Sequence, residues 1–373
     1  MLNRAISAAM TTVPRAHANP VSVYLRRGNN AIEKHRRKQT DGHIPGHLRL
    51  LRPHPFQDHE KRLQAMKVIV SGSLAYDRIM NFPEYFSDHI LPDKIHVLNV
   101  CFQVDGVTEN YGGTAGNIAY ALKLMGETAH ISATIGNDHH RYFEWLGENG
   151  ISIEGIKVIT TELTAGAYIT TDKADNQITG FNPGAMKHSS GLDFSTLAAN
   201  ETLVLVSPGN LDDMIAYPRN CRAAGIPYIF DPGQALPVLQ AEPLLSAITG
   251  AKILIVNDYE FDLILDKTGL KKEELLGRAE TTIVTLGEAG SMIYTADGEI
   301  KIPVCPAKKV VDPTGAGDAY RGGLISGLVN GKGLEESARL GSICASFAIE
   351  CYGTQVYQFT AAEFEERRQN MGR

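Results

Sequence analysis

The sequence predicts an α/β protein: a mostly parallel sheet between layers of helices, with a small second sheet beside it. Three observations predict this. From Met66 onward, short apolar runs alternate with helical stretches, the pattern of βαβ units whose sheet is covered on both faces. Polar or glycine-rich clusters follow several of those runs, where ligands bind in such sheets, beyond the carboxyl ends of the strands. Two stretches, about 82–111 and 164–180, carry β-branched and aromatic residues with no helix between. They supply the small sheet, which is placed to act as a lid.

In chain order, Lys67-Val-Ile-Val-Ser-Gly72 reads as a first buried strand at 67–71, a short apolar run closed by glycine. A helix is expected at 115–125, a strand at 129–133 and a helix at 138–148. The runs at 202–206, 227–230 and 252–256 read as further strands, with a helix at 211–224 between the first two. Strands 282–285 and 291–294 are joined by Thr285-Leu-Gly287-Glu-Ala-Gly290-Ser291, a hairpin-like turn by composition. Helices at 316–330, 334–350 and 360–370 complete the body.

Apolar residues make up 43% and charged residues 21% of the chain, ordinary for a globular protein, and no run of about 18 apolar residues exists to form a membrane helix. The five cysteines (Cys101, Cys221, Cys305, Cys344, Cys351) form no CxxC pair. This argues against a disulfide framework and a zinc site, and for a reducing, cytoplasmic setting. Residues 1–65 hold twelve Lys and Arg against four Asp and Glu, with half of the twelve histidines, and show no sustained period. Their leading reading is a dispensable basic extension before a natural start at Met66, so a protein beginning there should keep full activity. An Arg-rich transit peptide and an anion-touching tail at Lys34-His-Arg-Arg-Lys38 stay open. The remaining body is acidic. It offers no electrostatic footprint for nucleic acid, so any phosphate site must be local. Monomer and homodimer are left open.

Val310-Val-Asp-Pro-Thr-Gly-Ala-Gly-Asp-Ala-Tyr320 is the most informative stretch. Pro313 ends an extended segment, and Gly315 and Gly317 let backbone approach a ligand closely. A helix starting near Ala316 leaves its first N–H groups unpartnered at the positive end of its dipole, an anion site. Asp318 lies in its first turn. It could take the proton of a substrate hydroxyl while Gly315, Ala316 and Gly317 stabilise a transferring phosphoryl group. Taken alone, the run reads first as a plain turn with a helix-start carboxylate. Neither GxxxxGK[ST] nor a post-strand GxGxxG occurs.

This stretch resembles the C-terminal signature of the ribokinase-like (PfkB) family of carbohydrate and nucleoside kinases, with Pro313 where many members have Thr. The resemblance covers essentially 66–373 and implies a three-layer ribokinase-like fold with a small β-sheet lid, and ATP as co-substrate. Gly112-Gly113-Thr-Ala-Gly116-Asn117 is similar to the family's sugar-holding element, and Asp77 to its carboxylate after the first strand. Their bland readings are a glycine turn and a surface acid. Gln177-Ile-Thr-Gly-Phe181-Asn-Pro-Gly-Ala-Met186 and the segment 90–104 resemble lid elements of bacterial adenosine-kinase-like members, with Phe181 against the base or packing in the lid. Asn257 and Glu260 match an Asn-x-x-Glu that organises Mg²⁺ through water, or form a helix cap. Thr285, Gly287 and Gly290 correspond to a segment along ATP. Asp312 with Gly353-Thr-Gln355 resembles the border of a monovalent-cation (K⁺) site.

The implied activity is phosphorylation of adenosine at its 5′-hydroxyl by ATP, with Asp318 as base. The alternatives are a ribokinase or other sugar kinase, and a non-catalytic nucleoside-binding protein. An intact Asp318 and glycine run argue against the last.

Overall fold

The computed structural model describes residues 66–174 and 176–371. The extension 1–65, with the start and tail readings that fall on it, lies outside the described residues. Chain order runs β1 (Lys67–Ser71), β2 (Ala75–Asn81), the one-turn α1 (Phe86–His89), β3 (Val107–Gly112), α2 (Thr114–Leu124), β4 (Ala129–Gly136), α3 (His140–Glu148), β5 (Ile156–Ile159), β6 (Ala165–Thr171) and β7 (Gln177–Asn182). It continues with β8 (Thr202–Val206), α4 (Leu211–Ala224), β9 (Tyr228–Phe230), α5 (Ala241–Ile248), β10 (Ile253–Asn257), α6 (Asp258–Thr268), α7 (Lys272–Leu276), β11 (Thr281–Thr285), β12 (Ser291–Thr295) and β13 (Gly298–Ile302). The helices α8 (Ala316–Val329), α9 (Leu334–Ala348) and α10 (Ala361–Met371) close the chain's described part.

The large sheet has the order β13-β12-β11-β10-β9-β8-β1-β4-β5. It is parallel from β11 to β5, and β12 and β13 add an antiparallel edge. Alternate residues of one strand face opposite cores, because strand side chains have a period of two. Val68, Val70 and Leu203 pack with Ile118, Leu122, Leu324 and Ile343 of α2, α8 and α9. Ile69, Val204 and Val206 pack with Met214, Leu244 and Ile264 of α4, α5 and α6. Each fully buried Ile or Leu contributes roughly 1.5–3 kcal/mol, so both faces are strongly specified. The first half of the chain builds outward from β1 through β4, the second through β8. Strand order therefore reverses beside β1, the switch point where an open α/β sheet gapes.

The small sheet has the order β3-β2-β6-β7. Its register aligns Asn110, Asp77, Ala167 and Phe181 in one row across all four strands, so these residues share a face.

Two expectations need correction. The first strand of the small sheet is β2, at Ala75–Asn81, and 82–106 contains no strand. The segment 90–104 holds a 3₁₀ turn at Pro92–Val97, and Leu91, Ile95, Val97 and Leu98 are exposed. Pro92 has no N–H to give a ladder, and Pro92-Asp93-Lys94 breaks the alternation. The short elements β5, β13, α5 and α7 carry too few residues to display a period.

Candidate active site

The site is built where two helix N-termini meet the switch point. Gly113 caps α2 at φ 89°, and a Cβ there would lie 2.6 Å from the Ser73 carbonyl oxygen. Only glycine satisfies both conditions. Thr114 pins this end to the sheet. Its N–H donates to Ser73 Oγ at 3.1 Å and its hydroxyl to the Pro208 carbonyl at 2.7 Å. Ser73 and Pro208 follow β1 and β8, so the latch spans the switch point. Alongside, α8 lies so near α2 that a Cβ on Gly322 would stand 2.4 Å from Ala121 Cβ. This contact brings Asn117 of α2 beside Asp318 of α8.

Asn117 Nδ2 donates to Asp318 Oδ2 at 2.8 Å. The direction of that bond is set from a distance. Trp145 Nε1, which can only donate, donates to Gln355 Oε1 at 3.0 Å. Gln355 Nε2 is thereby turned toward Asn117 Oδ1 (3.0 Å) and the Tyr142 hydroxyl (2.8 Å). Tyr142 passes its own hydrogen to the Gly112 carbonyl at 2.7 Å. Thr354 Oγ1 also donates to Asn117 Oδ1, at 2.8 Å. The amide oxygen of Asn117 is fully engaged, and its nitrogen faces the carboxylate. Thr354 and Gln355, expected at a cation-site border, spend their side chains on this chain of bonds.

Gly315 caps α8 in the left-handed region at φ 79°. The Ala316 N–H turns back to the Pro313 carbonyl at 3.2 Å. The amides of Gly317 and Asp318 are left as the helix-end donors without intrahelical partners, which modifies the expectation for Ala316. Asp318 stays partly reachable by solvent, yet enough protein surrounds it that burial pushes its carboxyl above the usual range, opposed by Arg321 and the Asn117 bond. Its Oδ1 takes no hydrogen bond among the described residues. Arg321 and Asp231 lie behind Asp318. Arg321 Nη2 donates to Asp231 Oδ1 at 2.8 Å. Burial raises the Asp231 pKa to about 7, with Arg321 opposing and Glu260 and Asp318 adding to the rise.

On the small-sheet side, Asp77 faces Gly112, where a Cβ would meet its Oδ2 at 2.4 Å. Burial raises the Asp77 pKa, and the nearby Asp312 adds to the rise. Phe181 lies on the same sheet face, half exposed, two strands away. Asn110 stands in register with Asp77, and a Cβ added at Gly353 would lie 3.7 Å from its Cγ. No sequence signal marked it, because a lone Asn in a strand has no motif.

On the far side of the switch point, Asp231 follows β9, and β10 and β11 end in Asn257 and Thr285, which stand in register. Asn257 and Glu260 form a capping box. Asn257 Oδ1 accepts from the Glu260 N–H at 2.7 Å, and Glu260 Oε2 from the Asn257 N–H at 2.8 Å. The capping alternative is thus realised, and Glu260 Oε1 takes no hydrogen bond among the described residues. No group of three or more His, Cys, Asp or Glu among the described residues could cage a metal. One free carboxylate oxygen beside the cleft suits Mg²⁺, which keeps much of its water and is held largely by phosphates. Gly287 opens to free space at φ 54°, whereas Gly290 packs a would-be Cβ 2.1 Å from the Ile302 carbonyl. Gly290 is thereby explained by the β13 contact.

A sequence profile described as pfkB family carbohydrate kinase matches residues 71–360. The chain is 34% identical over 291 residues to a nucleoside kinase of Methanocaldococcus jannaschii, covering 78% of this chain and 92% of that protein. Among solved structures, a nucleoside kinase of Burkholderia thailandensis in complex with inosine superposes at a TM-score of 0.72 with 38% identity, covering 82% of this chain and 98% of the other. The same kinase in complex with ADP-inosine gives 0.70 and 40%, covering 82% and 95%.

Proposed function

The chain belongs to the pfkB family of carbohydrate kinases, and on that premise we propose that it transfers the γ-phosphoryl group of ATP to the 5′-hydroxyl of a purine nucleoside, adenosine and inosine included. The observation that carries this is the Asn117–Asp318 bond beside the unpartnered N–H groups of α8. It gives an oriented carboxylate with one free oxygen next to an anion hole. Asp318 Oδ1 takes the hydroxyl proton as the O5′–Pγ bond forms and the bond from Pγ to the bridging oxygen breaks, releasing ADP. The amides of Gly317 and Asp318 receive charge on the equatorial oxygens, the electrostatic part of phosphoryl transfer. Glu260 would hold Mg²⁺ through water, and the ion would supply neutralisation of the charge on ATP.

Asp77 accepts from the ribose hydroxyls, with Gly112 and Gly113 giving the sugar a backbone floor. Phe181 offers an aromatic face to the base, and the small sheet closes over it to exclude water. Stacking reads the face of a purine and not its edge. It therefore favours nucleoside over ribose without separating adenosine from inosine. Thr285 and Gly287 border the nucleotide. A relative at 38% identity is known in complex with inosine, which supports the substrate class.

The test is an ATP–Mg²⁺ assay across adenosine, inosine, pyrimidine nucleosides, ribose and fructose, repeated with Asp318→Asn. The purine nucleosides should have the highest kcat/KM. The variant should lose on the order of 10²–10⁴ in kcat while still binding nucleoside. Ribose outrunning both purine nucleosides would remove the substrate assignment, and near-normal turnover by the variant would remove the base.

A further inference from the structure

Arg321 does more than hold two elements together. It lies one turn inside α8, and helical side chains lean toward the N-terminus, over residue i−4. For Arg321 that residue is Gly317. A Cβ on Gly317 would stand 2.6 Å from Arg321 Nη1, so the missing side chain makes room for the tip of the guanidinium at the anion hole. The residue is only 8% exposed. Asp231, itself 2% exposed and following β9, fixes the other edge of the fork through the Nη2–Oδ1 bond. Nε lies 2.6 Å from Asp231 Oδ2 but out of line for a hydrogen bond. Nη1 has no hydrogen-bond partner among the described residues, and unlike Nε it keeps access to solvent.

A purely structural ion pair accounts for Nη2 and Nε. It leaves Nη1, the solvent-reachable donor beside Gly317, without a protein acceptor among the described residues. The charges facing Arg321 are Asp231, Asp318 and Glu260, and none of them bonds Nη1. An acceptor arriving at Gly317 would be the first.

We propose that Arg321 is a catalytic residue whose Nη1 donates to an equatorial oxygen of the transferring phosphoryl group, with Asp231 as the positioning residue that aims it. This rests on the kinase reading of the site. Arg321 exchanges no proton. It adds a charged donor to the two backbone amides, at the oxygens whose negative charge grows as the phosphoryl group moves from ADP to the acceptor. A lysine would keep the charge but could not span Asp231 and the phosphoryl oxygen with one planar fork.

Arg321→Lys and Arg321→Met are compared with wild type by steady-state kinetics with adenosine and ATP–Mg²⁺, and by titration with ADP, aluminium fluoride and adenosine. Arg321→Met should lose about 10²–10³ in kcat, the scale of one anion-hole donor. The KM for adenosine should change little, and the tight aluminium fluoride complex should be lost. Arg321→Lys, which retains a cation beside Asp231 if the methionine variant fails to fold, should lose on the order of 10-fold or more in kcat. Added guanidinium should restore part of the activity of Arg321→Met but not of Asp318→Asn. Wild-type kcat and aluminium fluoride affinity in Arg321→Lys would reduce Arg321 to a packing role. A wild-type protein that phosphorylates no alcohol would instead overturn the kinase reading, and the inference with it.

Discussion

Asn117 is the residue through which distant side chains act on Asp318. The sequence offered it as a sugar-holding amide, yet its Oδ1 is occupied by Thr354 and Gln355, and one Nδ2 hydrogen goes to the carboxylate. A single Nδ2 hydrogen remains for a ligand. The orientation depends on Gln355, whose own amide is fixed by Trp145. Gln355→Glu presents an acceptor where Asn117 now finds a donor. The Asn117 amide should then turn its nitrogen to the introduced carboxylate and its oxygen to Asp318. Asp318 would lose a hydrogen bond to its charged form, worth about 1.5–3 kcal/mol. The acid limb of the kcat/KM profile should move up by roughly one to two pH units, at ~1.4 kcal/mol per unit. An unmoved limb in a merely less stable variant would leave Gln355 a packing residue. None of this was legible beforehand, because Trp145, Asn117 and Gln355 are joined only by the fold, 210 and 238 residues apart. The Gly-Ala-Gly-Asp run was legible because one helix start holds both the amides and the carboxylate.

At the scale of elements, the site is the meeting of α2 and α8, and their spacing depends on Gly322 against Ala121. The long strands and helices were readable from their periods, and the glycine-rich helix starts from composition. The capping box at Asn257 and Glu260 was readable as a pattern, but only geometry shows that two of its polar atoms are spent on the start of α6. The path of 82–106 was not readable, since Ile95, Val97 and Leu98 resemble strand residues locally while no ladder forms there. Gly322→Ala inserts a methyl between the two helices. It should cost about 1–3 kcal/mol in denaturant unfolding, as overpacking does. It should also lower kcat by separating Asn117 from Asp318. Adding Ala121→Gly should recover most of both losses. Wild-type kcat in a destabilised Gly322→Ala variant would show that the helix spacing supports stability alone.

Over the whole molecule, the site places three carboxyls, Asp77, Asp231 and Asp318, where burial raises their pKa values. A group bound more tightly by protons in the folded state than in the unfolded chain stabilises most when protonated. Its contribution is lost as pH rises through the folded-state pKa. The acids shifted the other way, Asp172, Asp193, Glu363 and Glu365, titrate below the ordinary carboxylate range, so they act at lower pH. As pH rises toward the Asp231 value of about 7, the unliganded protein should therefore lose stability through that carboxyl, and Asp77 and Asp318 act in the same direction. Asp77 isolates the effect, since its side chain accepts no hydrogen bond among the described residues. Asp77→Asn mimics the protonated form. It should melt a few degrees above wild type at pH 8, and the gap should narrow as pH falls. It should also bind nucleoside more weakly, because the neutral amide is a poorer acceptor for ribose hydroxyls than a carboxylate. Equal melting at pH 8, or a gap that widens in acid, would mean that Asp77 is not held at a cost in the empty site. The stabilisation and the lost affinity should appear together, since the same dehydrated carboxylate produces both.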